Sequence, residues 1–163
     1  MISVSVSSNV TGAAELSSLA PPGAKDLAAR FFARLNEADA GGALALTSSD
    51  CSVDIVPASH TGSAADAGRR FFEALVVAFP DLLIQVRSVM GTAELAVVEV
   101  KMEGTQATDF LGILNQEKHL DVDQAWMIWA RDGMITGIRA YWCQNQLYRR
   151  LAVKRLDRIS ILG

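Results

Sequence analysis

Three side chains near the C-terminus alternate in a way that can gather chemistry on one surface: Arg139, Tyr141 and Cys143. Residues two apart in a strand share a face, so if Cys143 looks into a cavity, Arg139 and Tyr141 do too. A guanidinium and a phenol donate hydrogen bonds to a carbonyl oxygen that gathers negative charge. A thiol beside a cation gains thiolate character; without activation it is a small buried hydrophobe. Two acids can move a proton: Asp54, inside the apolar run Val53 to Val56, and Asp123, inside the run His119 to Ala130. An acid held in an apolar cavity suits proton transfer near neutral pH. Gln106 offers an amide, which hydrogen-bonds but does not exchange protons. His60 sits in a Gly-Ser-rich stretch and reads as solvated or as a residue at a cavity mouth.

Other chemistries find little support. No pair of His, Cys or acidic residues has metal-site spacing, and Gly41-Gly42 lacks the lysine and preceding strand of a phosphate loop. No metal and no cofactor are expected. The 163 residues carry 15 basic against 18 acidic side chains, a net charge of −3. That balance gives no general attraction to phosphate backbones or anionic lipid, so nucleic acid and membranes are not expected partners. Apolar runs such as Ala74 to Phe79 are too short to span a bilayer. Met1 to Gly23 is rich in Ser, contains Pro21-Pro22, and lacks the basic start and apolar stretch of a secretory signal. It reads as a flexible tail, and Cys51 and Cys143 as free thiols in a reducing cytoplasm.

The elements that must position these residues follow from periodicity. Lys25 to Asn36 puts Leu27, Phe31 and Leu35 on one helical stripe, and Ala65 to Phe79 does the same with Phe71, Leu75 and Phe79 before Pro80 stops it. A short helix is expected over Ala40 to Leu46. Cys51 to Val56 reads as a strand ended by Pro57, and His60-Thr61-Gly62 as a loop. Strands are expected over Leu82–Met90, Glu94–Glu103, His119–Ala130 and Met134–Cys143, then a closing helix over Leu147–Lys154. Helices first and a strand meander after predict an α+β fold, one curved sheet wrapped around the early helices with a conical cavity between. One domain, 24–154, is expected, with tails at 1–23 and 155–163.

The register of the last hairpin decides what lines the cavity. A two-residue Asp132-Gly133 turn, the favoured pair, sets Arg139 opposite Trp126 and Tyr141 opposite Gln124. Gln124, Trp126 and Val122 then line the cavity, with the apolar face that carries Met102 and, across from it, helix residues such as Phe31. A three-residue turn flips the strand and brings Asp121 and Asp123 to the face of Arg139.

Three segments in order resemble the SnoaL-like polyketide cyclases of the nuclear transport factor 2-like superfamily. They are Phe79-Pro80-Asp81-Leu82; Gly104-Thr105-Gln106 with Asp109-Phe110-Leu111-Gly112-Ile113; and Asp132-Gly133-Met134-Ile135 through Leu151. The resemblance spans roughly Lys25 to Val153. It implies the conical fold and cofactor-independent ring closure by an aspartate and a histidine in the pocket. Here Gln106 stands at the histidine position, Cys143 at the aspartate position and Arg139 where a tryptophan is usual. In the ketosteroid isomerases of this superfamily the base directly precedes the proline; that residue here is Val56, with Asp54 two before it. An Asp123–Arg139 pair would resemble the related limonene epoxide hydrolases.

The expected function is a cyclase or isomerase of secondary metabolism, acting on a hydrophobic polyketide-like or polycyclic intermediate. Acid/base groups and control of substrate conformation would share the work. Two alternatives stay open: an epoxide hydrolase or epoxide-opening cyclase built on Asp123 and Arg139, and a non-catalytic binding or scaffold protein. The expected partners are a hydrophobic small molecule and a second copy of the chain, meeting through an outer sheet face that carries Trp129 and Trp142.

Overall fold

A computed structural model describes residues 20–152. The expected tails lie outside the described residues, apart from residues 20–23, and so does the end of the expected closing helix at 153–154. The elements run α1 (Ala24–Asn36), α2 (Ala40–Leu44), β1 (Thr47–Ile55), a 3-10 turn (Val56–Ala58), β2 (His60–Ser63), a π turn (Ala64–Gly68), α3 (Arg69–Ala78), β3 (Leu83–Gly91), β4 (Leu95–Thr105), β5 (His119–Arg131), β6 (Met134–Trp142) and α4 (Gln144–Leu151). Six strands form one sheet in the order β2-β1-β6-β5-β4-β3. The β1–β6 pair is parallel and the others are antiparallel. This is the expected α+β architecture.

The helices bury one stripe each. In α1 the buried set is Ala24, Leu27, Ala28, Phe31, Phe32 and Leu35, and in α3 it is Phe71, Phe72, Leu75 and Ala78. The three- and four-residue spacing keeps these on one side, and burying each large side chain contributes roughly 1.5–3 kcal/mol. They pack on the inward residues of the strands: Ile84, Val98, Val100, Met102, Val122, Trp126 and Ile128. Asn36 ties the end of α1 to the edge strand β3. Its Nδ2 donates to the Ile84 carbonyl at 3.0 Å, and its Oδ1 accepts from the Ile84 N–H at 2.6 Å. Those are backbone groups that an edge strand otherwise leaves open.

Two local features differ from expectation. His60–Ser63 is a short edge strand, paired with Ser52–Ile55, instead of a loop. The helix expected over Ala65 to Phe79 begins as a π turn that leads into α3, with the Ser63 hydroxyl accepting from the Asp66 N–H at 3.2 Å. No described helix is long and apolar enough to cross a membrane.

Candidate functional site

The expected hairpin turn is present, with Arg131 opposite Met134, but a bulge follows it at once. Ala130 pairs with Ile135 and Trp129 with Gly137, which leaves Thr136 as the extra residue. A bulge shifts the pleat by one residue. Gly137 serves it by close approach, since a Cβ there would lie 3.2 Å from the Trp129 ring. Beyond the bulge Arg139 pairs with Met127 and Tyr141 with Ala125, in place of the expected Trp126 and Gln124. Ile138 and Ala140 take the inward face and are buried, while Arg139, Tyr141 and Cys143 turn to the outer face. The expectation that these three face the cavity is corrected by that single extra residue.

Asp54 follows them outward. In β1 the buried residues are Cys51, Val53 and Ile55, so Ser52 and Asp54 point the other way. The parallel register sets Asp54 beside Arg139, and Arg139 Nε donates to Asp54 Oδ2 at 3.0 Å. The guanidinium also stands 5.9 Å from the Trp129 ring centroid. The side chains of Arg139 and Asp54 are 43% and 29% exposed, so this is a half-solvated surface pair. Asp123 is exposed on the same outer face, beside a groove of about 480 Å³ that Arg87, Glu99, Ala125 and Tyr141 also line. The acid–arginine pair of this protein therefore uses Asp54, on the outside, and not Asp123.

The inward face carries a different set. Phe31, Phe32, Phe72 and Trp126 pack edge to face or tilted, with ring centroids 5.2–6.1 Å apart, and each is essentially unexposed. Trp126 Nε1 donates to Gln124 Oε1 at 2.9 Å, and Gln124 Nε2 approaches the Met102 sulfur at 3.7 Å. Phe31, Met102, Gln124 and Trp126 thus form a closed, hydrogen-bonded core layer.

Toward one end of the cone the packing changes. Phe71 is a hub: its ring is 5.2 Å from Phe72, 6.0 Å from Phe110, 6.0 Å from His60 and 6.3 Å from Trp142, on which it stacks. Trp142 pairs with Gln124 and belongs to the inward set, which corrects its expected place on the outer face. Phe110 enters from the segment between β4 and β5, where it forms a two-way backbone bridge with Ile113.

Gln106 lies at this end, 1% exposed. Its Nε2 donates to the Ile113 carbonyl at 3.1 Å, which fixes the amide orientation because a carbonyl only accepts. Its Oε1 is buried with no hydrogen-bond partner among the described residues. An unpaired buried acceptor costs about 1–3 kcal/mol, so its retention points to a donor supplied from elsewhere. A hollow of about 450 Å³, lined by Pro80, Asp81, Thr105, Ala107 and Asn115, lies beside Gln106.

Among the described residues the titratable side chains on the inward face are Cys51 and His60. Burial first, and the nearby Asp50 carboxylate second, push the Cys51 thiol up to about 11, so it stays protonated and inert. Phe71, Phe110 and Trp142 were not singled out as site residues by sequence reasoning. The signal available was the Phe71-Phe72 pair on the buried stripe of α3 and a lone Phe110 in a polar segment.

A family model described as a SnoaL-like domain matches residues 28–138, more than half of the chain. Solved structures share the fold. AclR of Streptomyces galilaeus, assigned as a hydroxylase, is 21% identical, with a TM-score of 0.68 over 77% of this chain and 92% of its own. A protein of Jannaschia sp. CCS1, assigned as a SnoaL-like polyketide cyclase, is 17% identical, with a TM-score of 0.72 over 83% and 97%. SalBIII, an epoxide hydrolase/cyclase-like enzyme in pyran ring formation in the polyether salinomycin, is 18% identical, with a TM-score of 0.62 over 75% and 92%. A search of curated proteins finds no match. The architecture and the matched span together establish that the chain belongs to the SnoaL-like domain family.

Proposed function

We propose that the protein is a cofactor-independent cyclase or isomerase that holds a hydrophobic, polyketide-like or polycyclic intermediate at the Phe71–Phe110–Trp142 end of the cone. The observation that carries this reading is Gln106 Oε1, a buried acceptor without a donor among the described residues, on an amide bonded to Ile113, the backbone partner of Phe110. A ligand that offers a hydroxyl there restores the missing hydrogen bond, while the aromatic rings pack against its apolar body. Holding one folded conformer of a flexible chain lowers the barrier to ring closure, by roughly 7–11 kcal/mol in the best cases, without any particular titrating residue. The polyketide cyclase and ring-forming neighbours support the same class of reaction.

Gln106→Met tests it. The variant keeps the volume and removes the orphan oxygen, and the Ile113 carbonyl keeps its bond from the Phe110 N–H. The apo protein should be as stable as the parent or more stable, by up to about 1 kcal/mol. Affinity for hydroxylated aromatic ligands should fall about tenfold, as expected for the loss of one hydrogen bond. Unchanged affinity removes Gln106 from the site.

A second reading, a non-catalytic binder, is favoured by the absence of any inward-facing carboxylate among the described residues. It predicts the same binding with no turnover. In either reading two copies would meet through the outer sheet face, where Leu83, Met90 and Tyr141 are exposed and Met127 and Trp129 half-buried.

A further inference from the structure

We infer that His60 is the residue that moves the proton at this site, taking it at Nδ1; the inference rests on the pocket proposed above. Four observations converge on it. First, His60 pairs with Ile55 across the β1–β2 ladder, and directly opposed residues share a face. Ile55 is fully buried on the inward side, so His60 projects inward from the edge of the sheet. Second, its ring lies 6.0 Å from the Phe71 ring, the hub that also touches Phe110 and Trp142. Third, its tautomer is set by the backbone: Nε2 is 2.8 Å from the Ala67 carbonyl, which only accepts, so Nε2 carries the proton and Nδ1 the lone pair. Fourth, Nδ1 has no hydrogen-bond partner among the described residues.

Three local features hold this contact. Ala67 belongs to the π turn, a wider turn that often marks functional positions in helices. Gly62 lets β2 close on that turn, since a Cβ there would stand 2.7 Å from the Ala67 methyl. Ser59 takes a left-handed φ of 50° to swing the chain into β2. A side chain oriented by a backbone carbonyl on one nitrogen and free on the other is the arrangement of a general base.

The step balances without a co-reactant. Nδ1 takes a proton from a substrate carbon next to a carbonyl, and the C–H electron pair becomes an enolate. The enolate carbon attacks a second carbonyl of the same molecule and forms the new C–C bond. The imidazolium then returns the proton to the resulting alkoxide oxygen. For simple isomerisation the proton returns to a different carbon.

The test uses the full chain and 2-tetralone, a hydrophobic bicyclic ketone with acidic C–H groups beside its carbonyl. Binding is measured by titration, and proton abstraction by deuterium uptake into the ketone in D2O, followed by NMR against buffer with equal free imidazole. The parent protein should accelerate exchange by about 100-fold, the lower range for a positioned base. His60→Gln should fall to the buffer rate while binding the ketone within threefold of the parent. His119→Gln, the chain's other histidine, should exchange like the parent. A parent that binds the ketone but does not speed exchange, or a His60→Gln variant that exchanges normally, overturns the role of His60 and leaves the pocket standing. A parent that does not bind the ketone overturns both. As a check independent of any variant, 15N NMR of the parent should show the Nε2–H tautomer at His60; an Nδ1–H signal contradicts the inference.

Discussion

Replacing Arg139 and Asp54 singly and together asks which side of the sheet carries the charged pair. The contact is one Nε–Oδ2 hydrogen bond of 3.0 Å between side chains that are 43% and 29% exposed. A single bond in partly solvated surroundings gives a coupling energy of about 0.5–1 kcal/mol. The Trp129 ring at 5.9 Å adds a cation–π term of roughly 0.5–1 kcal/mol that only the arginine variants lose. Arg139→Gln should therefore destabilise by about 1–2 kcal/mol, and Asp54→Asn by less than 1. Urea unfolding of the four proteins gives the coupling as the departure from additivity. In 1 M NaCl, where the screening length is about 3 Å, the coupling should drop by half or more. Ligand binding should stay within threefold in every variant, because neither side chain reaches the inward face. A coupling of about 3 kcal/mol or more that ignores salt would mark a buried pair. That result, or loss of binding in Arg139→Gln, would refute the outward placement.

Other outcomes follow from the same geometry. A thiol reagent at pH 8 should label Cys143 quickly and Cys51 only on unfolding, and Cys143→Ser should erase the fast phase. Because the Cys51 thiol is raised in the folded protein, its contribution to stability holds below the ordinary thiol value and is lost as pH climbs toward about 11, which alkaline unfolding curves would show. The Asp81 carboxyl is lowered chiefly by the Thr105 N–H, which donates to it at 2.6 Å. Its contribution is present above the ordinary value near 3.8 and fades as pH falls below that, so Asp81→Ala should flatten the acid limb of the stability profile. If two copies meet through the outer face, Leu83→Glu with Tyr141→Lys should sediment as a monomer where the parent is a dimer.

Much of the frame was legible because it rests on periodicity. The stripes of α1 and α3, the strand meander and the Asp132-Gly133 turn each carry a local signal, and the structure keeps them within a few residues. Face assignment failed where one residue changed the parity. The clue was Gly137, since a glycine inside a strand often marks a bulge or close packing, and reading it so would have turned Arg139, Tyr141 and Cys143 outward. Asp54 was expected in the cavity because its run is apolar, yet Cys51, Val53 and Ile55 alternate with Ser52 and Asp54, a pattern that sets the acid opposite the apolar side. His60 was not legible as an inward residue, because His60–Ser63 has no apolar alternation and becomes a strand only through its pairing with β1. The partnering of Gln106 depends on a segment folded back from Phe110 to Ile113, a tertiary contact without a local signature.

The central claim is that the aromatic end of the cone is a ligand site organised by an acceptor awaiting a donor. A crystal structure of the protein with 2-naphthol, a hydrophobic bicyclic phenol, tests it most directly. The account predicts the rings against Phe71 and Trp142 and the hydroxyl within about 2.6–3.0 Å of Gln106 Oε1. A naphthol bound in the outer groove beside Tyr141, with the inward end closed by protein side chains and Gln106 Oε1 bonded within the chain, would contradict it.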